Sequence, residues 1–160
     1  MNKTVVFDIP KSFEVQVFPD TDSFIINFSY PEFMPRPVNA PIGRPSARLV
    51  IYGGAVGESM ADWSLNHPPA VYQKSEGDVM VLKSPVGHGF WSTYYSFKDR
   101  KGGAVLFSDA GGNAVGYFYY HRLSVGLDVR GVVSKKVTHP LPEVDADISH
   151  FIEGLICDRE

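Results

Sequence analysis

Gly57-Glu-Ser59-Met-Ala61 is the stretch of this 160-residue chain whose residue types could support nucleophilic chemistry. It follows a strand-like run, Arg48–Tyr52, and opens a short segment of helical character, Glu58–Leu65. That is the setting of a nucleophile elbow, where small flanking residues let the chain turn sharply and present a serine hydroxyl. Ala61 stands where the pattern has its last glycine. Gly53 and Gly54 could supply backbone donors. Asp109 or Asp128 with His139 or His150 would complete the chain order Ser, Asp, His. The strand–helix alternation in which such an elbow works is missing. The expected role of Ser59 is therefore a glycine-rich turn near a helix start, with a small hydrolase using Ser59 and a histidine as the alternative.

The remaining chemistry-bearing residues are dispersed. His67, His88, His121, His139 and His150 contain no pair at i+2, i+3 or i+4, and Cys157 is the sole cysteine. Local metal-ligand spacing is thus absent, and neither a metal nor any other cofactor is expected. His88, in the tight loop Pro85-Val-Gly-His-Gly89, is the histidine to watch. Gly53-Gly-Ala-Val-Gly57 lacks the lysine and hydroxyl that hold phosphate and Mg²⁺, and G-x-G-x-x-G is absent. The pairs Asp20/Asp22 and Asp145/Asp147 fit a turn and a helix start, where carboxylates cap backbone donors.

The elements that would position these residues are mostly strands. Phe13, Val15 and Val17 alternate with Glu14 and Gln16, and Phe24, Ile26, Phe28 and Tyr30 alternate with Asn27 and Ser29. Val5–Ile9, Phe13–Phe18, Phe24–Tyr30, Arg48–Tyr52, Val79–Leu82 and Val125–Val133 read as strands, the last interrupted at Gly131. Prolines at 31, 35, 37, 41 and 45 exclude helix and central strand from Pro31–Pro45, which reads as a crossover between sheets. Residues 89–122 form a β-meander of three runs, Phe90–Lys98, Ala104–Ser108 and Ala114–Arg122, parted by two glycine-containing turns. Ile148, Phe151, Ile152, Leu155 and Ile156 follow helical spacing, with Asp145 or Asp147 as the cap.

Ten of the 21 aromatic residues fall within the meander, so alternation makes both of its faces aromatic. One face is expected to pack on a second sheet and the other on the helix, with part of an aromatic face left for a partner. Net charge is −3, but residues 137–160 carry six acids and one base. An acidic total argues against phosphate-driven nucleic-acid binding, whereas an acidic tail steers basic proteins. No run approaches the ~20 apolar residues of a membrane span. MNKTVVFDIPKSFEV lacks a signal-peptide core, and a lone cysteine suits a reducing cytosol.

These patterns predict a mainly β (α+β) domain over 1–160. It is an antiparallel β-sandwich or strongly curved sheet, with a meander at 89–122 and one C-terminal helix at about 146–157. Small, acidic, aromatic-rich and without a catalytic motif, the chain resembles bacterial toxin-neutralising immunity proteins in general character. That resemblance implies a non-catalytic, cytoplasmic protein-binding module with a basic protein partner. Partner contacts are expected from Tyr94, Tyr117, Tyr119, Trp63, Asp145 and Asp147. The remaining alternative is a β-barrel or sandwich that binds a small ligand in its aromatic interior.

Overall fold

Alternating apolar residues need a conformation that gathers every second side chain on one face, which a strand does and a helix does not. A computed structural model describes residues 4–87 and 90–157. His88 lies outside the described residues, as does Gly89 at the start of the expected meander. The chain runs β1 (Gln16–Phe18), β2 (Ser23–Ser29), β3 (Ser46–Tyr52), α1 (Met60–Asn66), β4 (Val71–Glu76), β5 (Val79–Gly87), β6 (Phe90–Lys98), β7 (Ala104–Asp109), β8 (Gly116–Arg122), β9 (Asp128–Ser134) and α2 (Leu141–Gly154). All nine strands join one antiparallel sheet in the order β1-β2-β3-β9-β8-β7-β6-β5-β4. The sheet is open, ending at β1 and β4. The mainly β class, the meander and the C-terminal helix follow the patterning. Among the described residues the strands form one curved sheet, and no second sheet faces it.

The register sorts the core. One cross-strand row runs Ile26–Leu49–Gly131–Tyr119–Phe107–Tyr95–Val81. Except for Val81 at its β5 end, this row joins Phe28, Ile51, Val105, Val129 and Val133 in a layer beneath Val144, Ile148 and Ile152 of α2. On the opposite face a smaller cluster joins Ala61 and Leu65 of α1 to Ala104, Leu106, Tyr94 and Tyr120. The meander therefore packs on a helix on each side, where one helix and a second sheet were expected. Arg122 ties β8 to the loop before α1, donating to the carbonyl of Gly57 at 2.5 Å and to Asp128 at 2.8 Å.

Several local expectations are corrected. β9 is continuous through Gly131, because glycine there lets β3 approach; a Cβ would meet the Arg48 carbonyl oxygen. Val5–Ile9 forms no strand beyond an isolated bridge from Phe7 to Ile156. β4 carries no apolar alternation and is exposed along its length, so no signal marks it. Pro31–Pro45 links neighbouring strands of the same sheet rather than crossing between sheets. Its Phe33 packs against Phe28 and Phe151 on the α2 side, while residues 37–42 fold onto the α1 side, where the Asn27 amide donates to the carbonyls of Pro37 at 2.9 Å and Ala40 at 3.3 Å, and Val38 and Ile42 are buried. α2 starts five residues before the expected bound, with Pro140 at its N-cap and Pro142 in its first turn. Asp145 and Asp147 thus lie inside the helix and do not cap it.

Phe151 bridges α2 to three rings, at centroid distances of 5.8 Å from Phe13, 4.9 Å from Phe28 and 4.7 Å from Phe33. Ile148, fully buried between α2 and the sheet, carries the docking more directly. Ile148→Ala is expected to cost about 2–5 kcal/mol in urea denaturation, from lost burial plus the cavity left behind. An unchanged midpoint would mean that α2 does not dock.

Candidate functional site

Ser59 is the N-cap of α1. Its hydroxyl accepts from the Asp62 amide at 3.2 Å and donates to the Asp62 carboxylate at 2.8 Å. This reciprocal arrangement satisfies a helix-start donor, the usual work of serine at this position. Gly53, offered above as an oxyanion donor, gives its amide to the carbonyl of Asp22 at 2.9 Å. Asp109 pairs with Lys135 and Asp128 with Arg122. His139 packs edge-on against Tyr30, and His150 lies on α2, across the sheet from α1. Ser59, Asp109 and Asp128 are thus held in other pairings.

A different set converges on the α2 face. Alternation along β8 turns His121 inward, beside Tyr119. Its Nε2 lies 2.7 Å from Oδ2 of Asp99, in the β6–β7 turn, and its Nδ1 lies 2.8 Å from Oδ1 of Asp145, on α2. Tyr119 donates its hydroxyl to the same Asp145 oxygen at 2.6 Å, and Ser149 Oγ stands 3.2 Å from Nδ1. Asp99 is further fixed by the amides of Lys101 and Gly103, at 2.9 and 2.7 Å from its Oδ1. Burial presses the His121 pKa down, but the hydrogen bonds and charges of Asp145 and then Asp99 outweigh it and raise the pKa above 6.5. Burial also works to raise Asp99, yet the His121 contact and the two amides hold it below 3.8. Burial, then the charge and hydrogen bond of Asp145, keep the Tyr119 hydroxyl well above 10.0. With a carboxylate on each nitrogen, the charged imidazole has no free lone pair, and the node ties turn, sheet and helix together.

The node floors a cleft of about 670 Å³ between α2 and the β6–β7 turn. One wall carries Glu143, Asp147 and Glu153, and the other carries Lys98, Arg100 and Lys101. Among the described residues no group of three His, Cys, Asp or Glu side chains is disposed to hold a metal ion. No sequence signal joins Asp99, His121 and Asp145, which lie 22 and 24 residues apart. Only the Asp-Arg-Lys-Gly-Gly turn hints that Asp99 has a local role; Gly103 is needed there because a Cβ would fall 2.8 Å from its carboxylate.

The six expected contact residues divide between the two faces. Tyr119 and Asp145 are buried and bonded to each other, a correction that follows from strand parity and the earlier start of α2. Asp147 is half-buried and accepts from the Tyr30 hydroxyl at 2.6 Å. Tyr117 is half-buried on the α2 side, edge-on to Tyr95 with ring centroids 6.1 Å apart. Tyr94 is half-buried beside α1, and Trp63 on α1 is 48% exposed, stacked on His67 with centroids 4.9 Å apart. Sequence reading missed their companions on the α1 side. The register sets Tyr72, Leu82, Tyr94, Ser108 and Phe118 in one row across five strands. Tyr72 is 56%, Phe118 49% and neighbouring Met80 42% exposed.

No protein-family model and no curated protein matches the chain. Among solved structures, the fold is similar to the crystal structure of the Neisseria meningitidis iron-regulated outer membrane lipoprotein FrpD. The TM-score is 0.52 at 10% identity, covering 84% of this chain and 74% of that one. At that identity the likeness concerns the fold alone. No helix among the described residues is long and apolar enough to cross a membrane.

Two measurements check this geometry. Because the folded pKa of His121 is raised, its stabilisation is complete below pH 6.5 and is lost as pH rises through the folded value. Asp99 works in the opposite sense, complete above pH 3.8 and lost as pH falls through its lowered value. The denaturant midpoint should decline on both sides, and His121→Asn should flatten the alkaline limb. Ser59→Ala is expected to cost about 0.5–2 kcal/mol through loss of the cap, and a fluorophosphonate probe should leave Ser59 unlabelled. Stoichiometric labelling there would restore the hydrolase alternative.

Proposed function

We propose that this chain is a protein-binding module whose contact surface is the apolar strip on the α1 side of the sheet. The carrying observation is the row of Tyr72, Leu82, Tyr94, Ser108 and Phe118, apolar but for the buried Ser108, with Met80 beside it and Trp63 on the flanking helix. Isolated exposed apolar residues are ordinary on a protein surface, but a contiguous group between a helix and an edge strand is typical of an interface. Tyr and Trp suit such a place, since a rigid ring loses little entropy on contact.

The partner is expected to be basic. Glu143, Asp147 and Glu153 lie across the sheet from the strip, so they act on an approaching partner through their field rather than by contact. Association should therefore slow as salt is added, while release depends on the aromatic anchors. The finer reading is a toxin-neutralising protein of the cytosol. Small size, acidic charge, aromatic richness and the unpaired, exposed Cys157 support it. The similarity to FrpD bears on neither partner nor location.

Affinity capture from the source organism, repeated with a Tyr72→Ser/Phe118→Ser double variant, tests the strip. Wild type should retain a partner that the variant loses, with at least a tenfold rise in Kd. The variant's thermal midpoint should barely move, because both side chains are already half exposed. A complex that forms equally well with the double variant would overturn the assignment of this surface.

A further inference from the structure

We propose that Asp99, His121 and Asp145 form a proton-operated clamp, which holds the N-terminal half of α2 on the sheet when His121 is charged and lets go of Asp145 when it is neutral. The argument begins with donor counting. An ionised carboxylate only accepts hydrogen bonds, so contacts at 2.7 Å to Nε2 and 2.8 Å to Nδ1 together require a hydrogen on both nitrogens. A neutral imidazole carries one. Loss of the proton must therefore break one contact, because a bare ring nitrogen and a carboxylate oxygen at that distance repel.

The surroundings decide which contact breaks. Ser149 Oγ lies 3.2 Å from Nδ1 and can turn its hydroxyl to donate to that nitrogen once it is bare. The hydrogen-bond partner of Nε2 is Asp99. The neutral ring thus keeps its hydrogen on Nε2, stays bonded to Asp99 and exchanges Asp145 for Ser149. Both alternatives sit on the same face of α2, one turn apart, so the exchange needs no large movement of the ring. The proton leaves to solvent through the cleft that His121 lines.

The consequence falls on Asp145. While His121 is charged, this buried carboxylate has a cationic partner and the Tyr119 hydroxyl. Once His121 is neutral, Tyr119 alone supports it, and a buried charge so poorly matched drives its helix outward toward water. Asp99 pays no such penalty, since the Lys101 and Gly103 amides still hold its other oxygen. The remaining charges facing the node oppose one another. Lys98, Arg100 and Lys101 on the turn favour the neutral ring, whereas Glu143, Asp147 and Glu153 on α2 favour the charged one. His150 lies on the same wall of α2. Tyr119 stays un-ionised beside the ring, and the raised His121 pKa agrees with the two carboxylates dominating. The device is distinct from the apolar strip, which lies on the other side of the sheet.

Nitrogen-detected NMR of the intact chain, from about pH 5 to about pH 10 across the range of a perturbed histidine, tests the clamp without relying on a variant. His121 should titrate above 6.5, its neutral form should carry hydrogen on Nε2, and amides of residues 143–149 should shift with the same midpoint. Ser149→Ala should raise that midpoint and Asp99→Asn should lower it. A neutral ring protonated at Nδ1 would overturn the clamp. So would α2 amides that ignore the titration, or a ring that stays charged until the protein unfolds.

Discussion

The antiparallel pairing of β3 with β9 is the constraint on which the rest of the molecule depends. It joins Ala47–Tyr52 to Asp128–Val133, segments with residues 53–127 between them, and so merges β1–β3 with the meander into one sheet. Closing so long a loop is entropically costly, and the continuous apolar face that results is the compensation. Without this pairing Leu49 and Tyr119 would not share a row, and α2 would have two half-faces to cover instead of one. Gly131 makes the approach possible by having no side chain where the β3 backbone passes.

From that frame the two faces acquire different characters. The α2 face is closed: ring stacks through Phe28, Phe33 and Phe151 fix the C-terminal half of the helix, and the Asp99–His121–Asp145 tie fixes its N-terminal half. A buried ion set adds less to net stability than its short distances suggest, because desolvation opposes the Coulomb gain. The α1 face is only partly closed. A seven-residue helix and the Pro31–Pro45 segment cover parts of it and leave the Tyr72–Phe118 row partly open between them.

Strand parity separates aromatic residues that composition treats alike. Tyr119 and Tyr120 are neighbours in the chain, yet one is buried against Asp145 and the other packs beside α1. The acidic tail divides the same way: Asp145 turns inward to a histidine, while Glu143 faces solvent. The exposed aromatic row and the acids of α2 thus lie on opposite sides of the sheet.

The amino-acid sequence by itself determined what depends on neighbours a few residues apart. Period-two alternation marked β2, apolar and aromatic runs between turns marked β3 and β6–β8, and helical spacing settled the stripe of Ile148, Ile152 and Leu155. Glycine-rich turns placed the meander. Proline ruled regular structure out of 31–45, and small residues around Ser59 marked a helix start. Only the tertiary structure decided what depends on partners far away in the chain. β4 has no alternation because both of its faces meet solvent, so pairing with β5 alone defines it. The start of α2 was set by Pro140 and by the burial of Val144 and Asp145, which no local capping pattern announces. His121 looked like one of five scattered histidines because its partners come from a turn and a helix brought together by sheet closure. The exposed row is hidden for the same reason: register aligns one residue from each of five strands, and register is a property of pairing, not of any single strand.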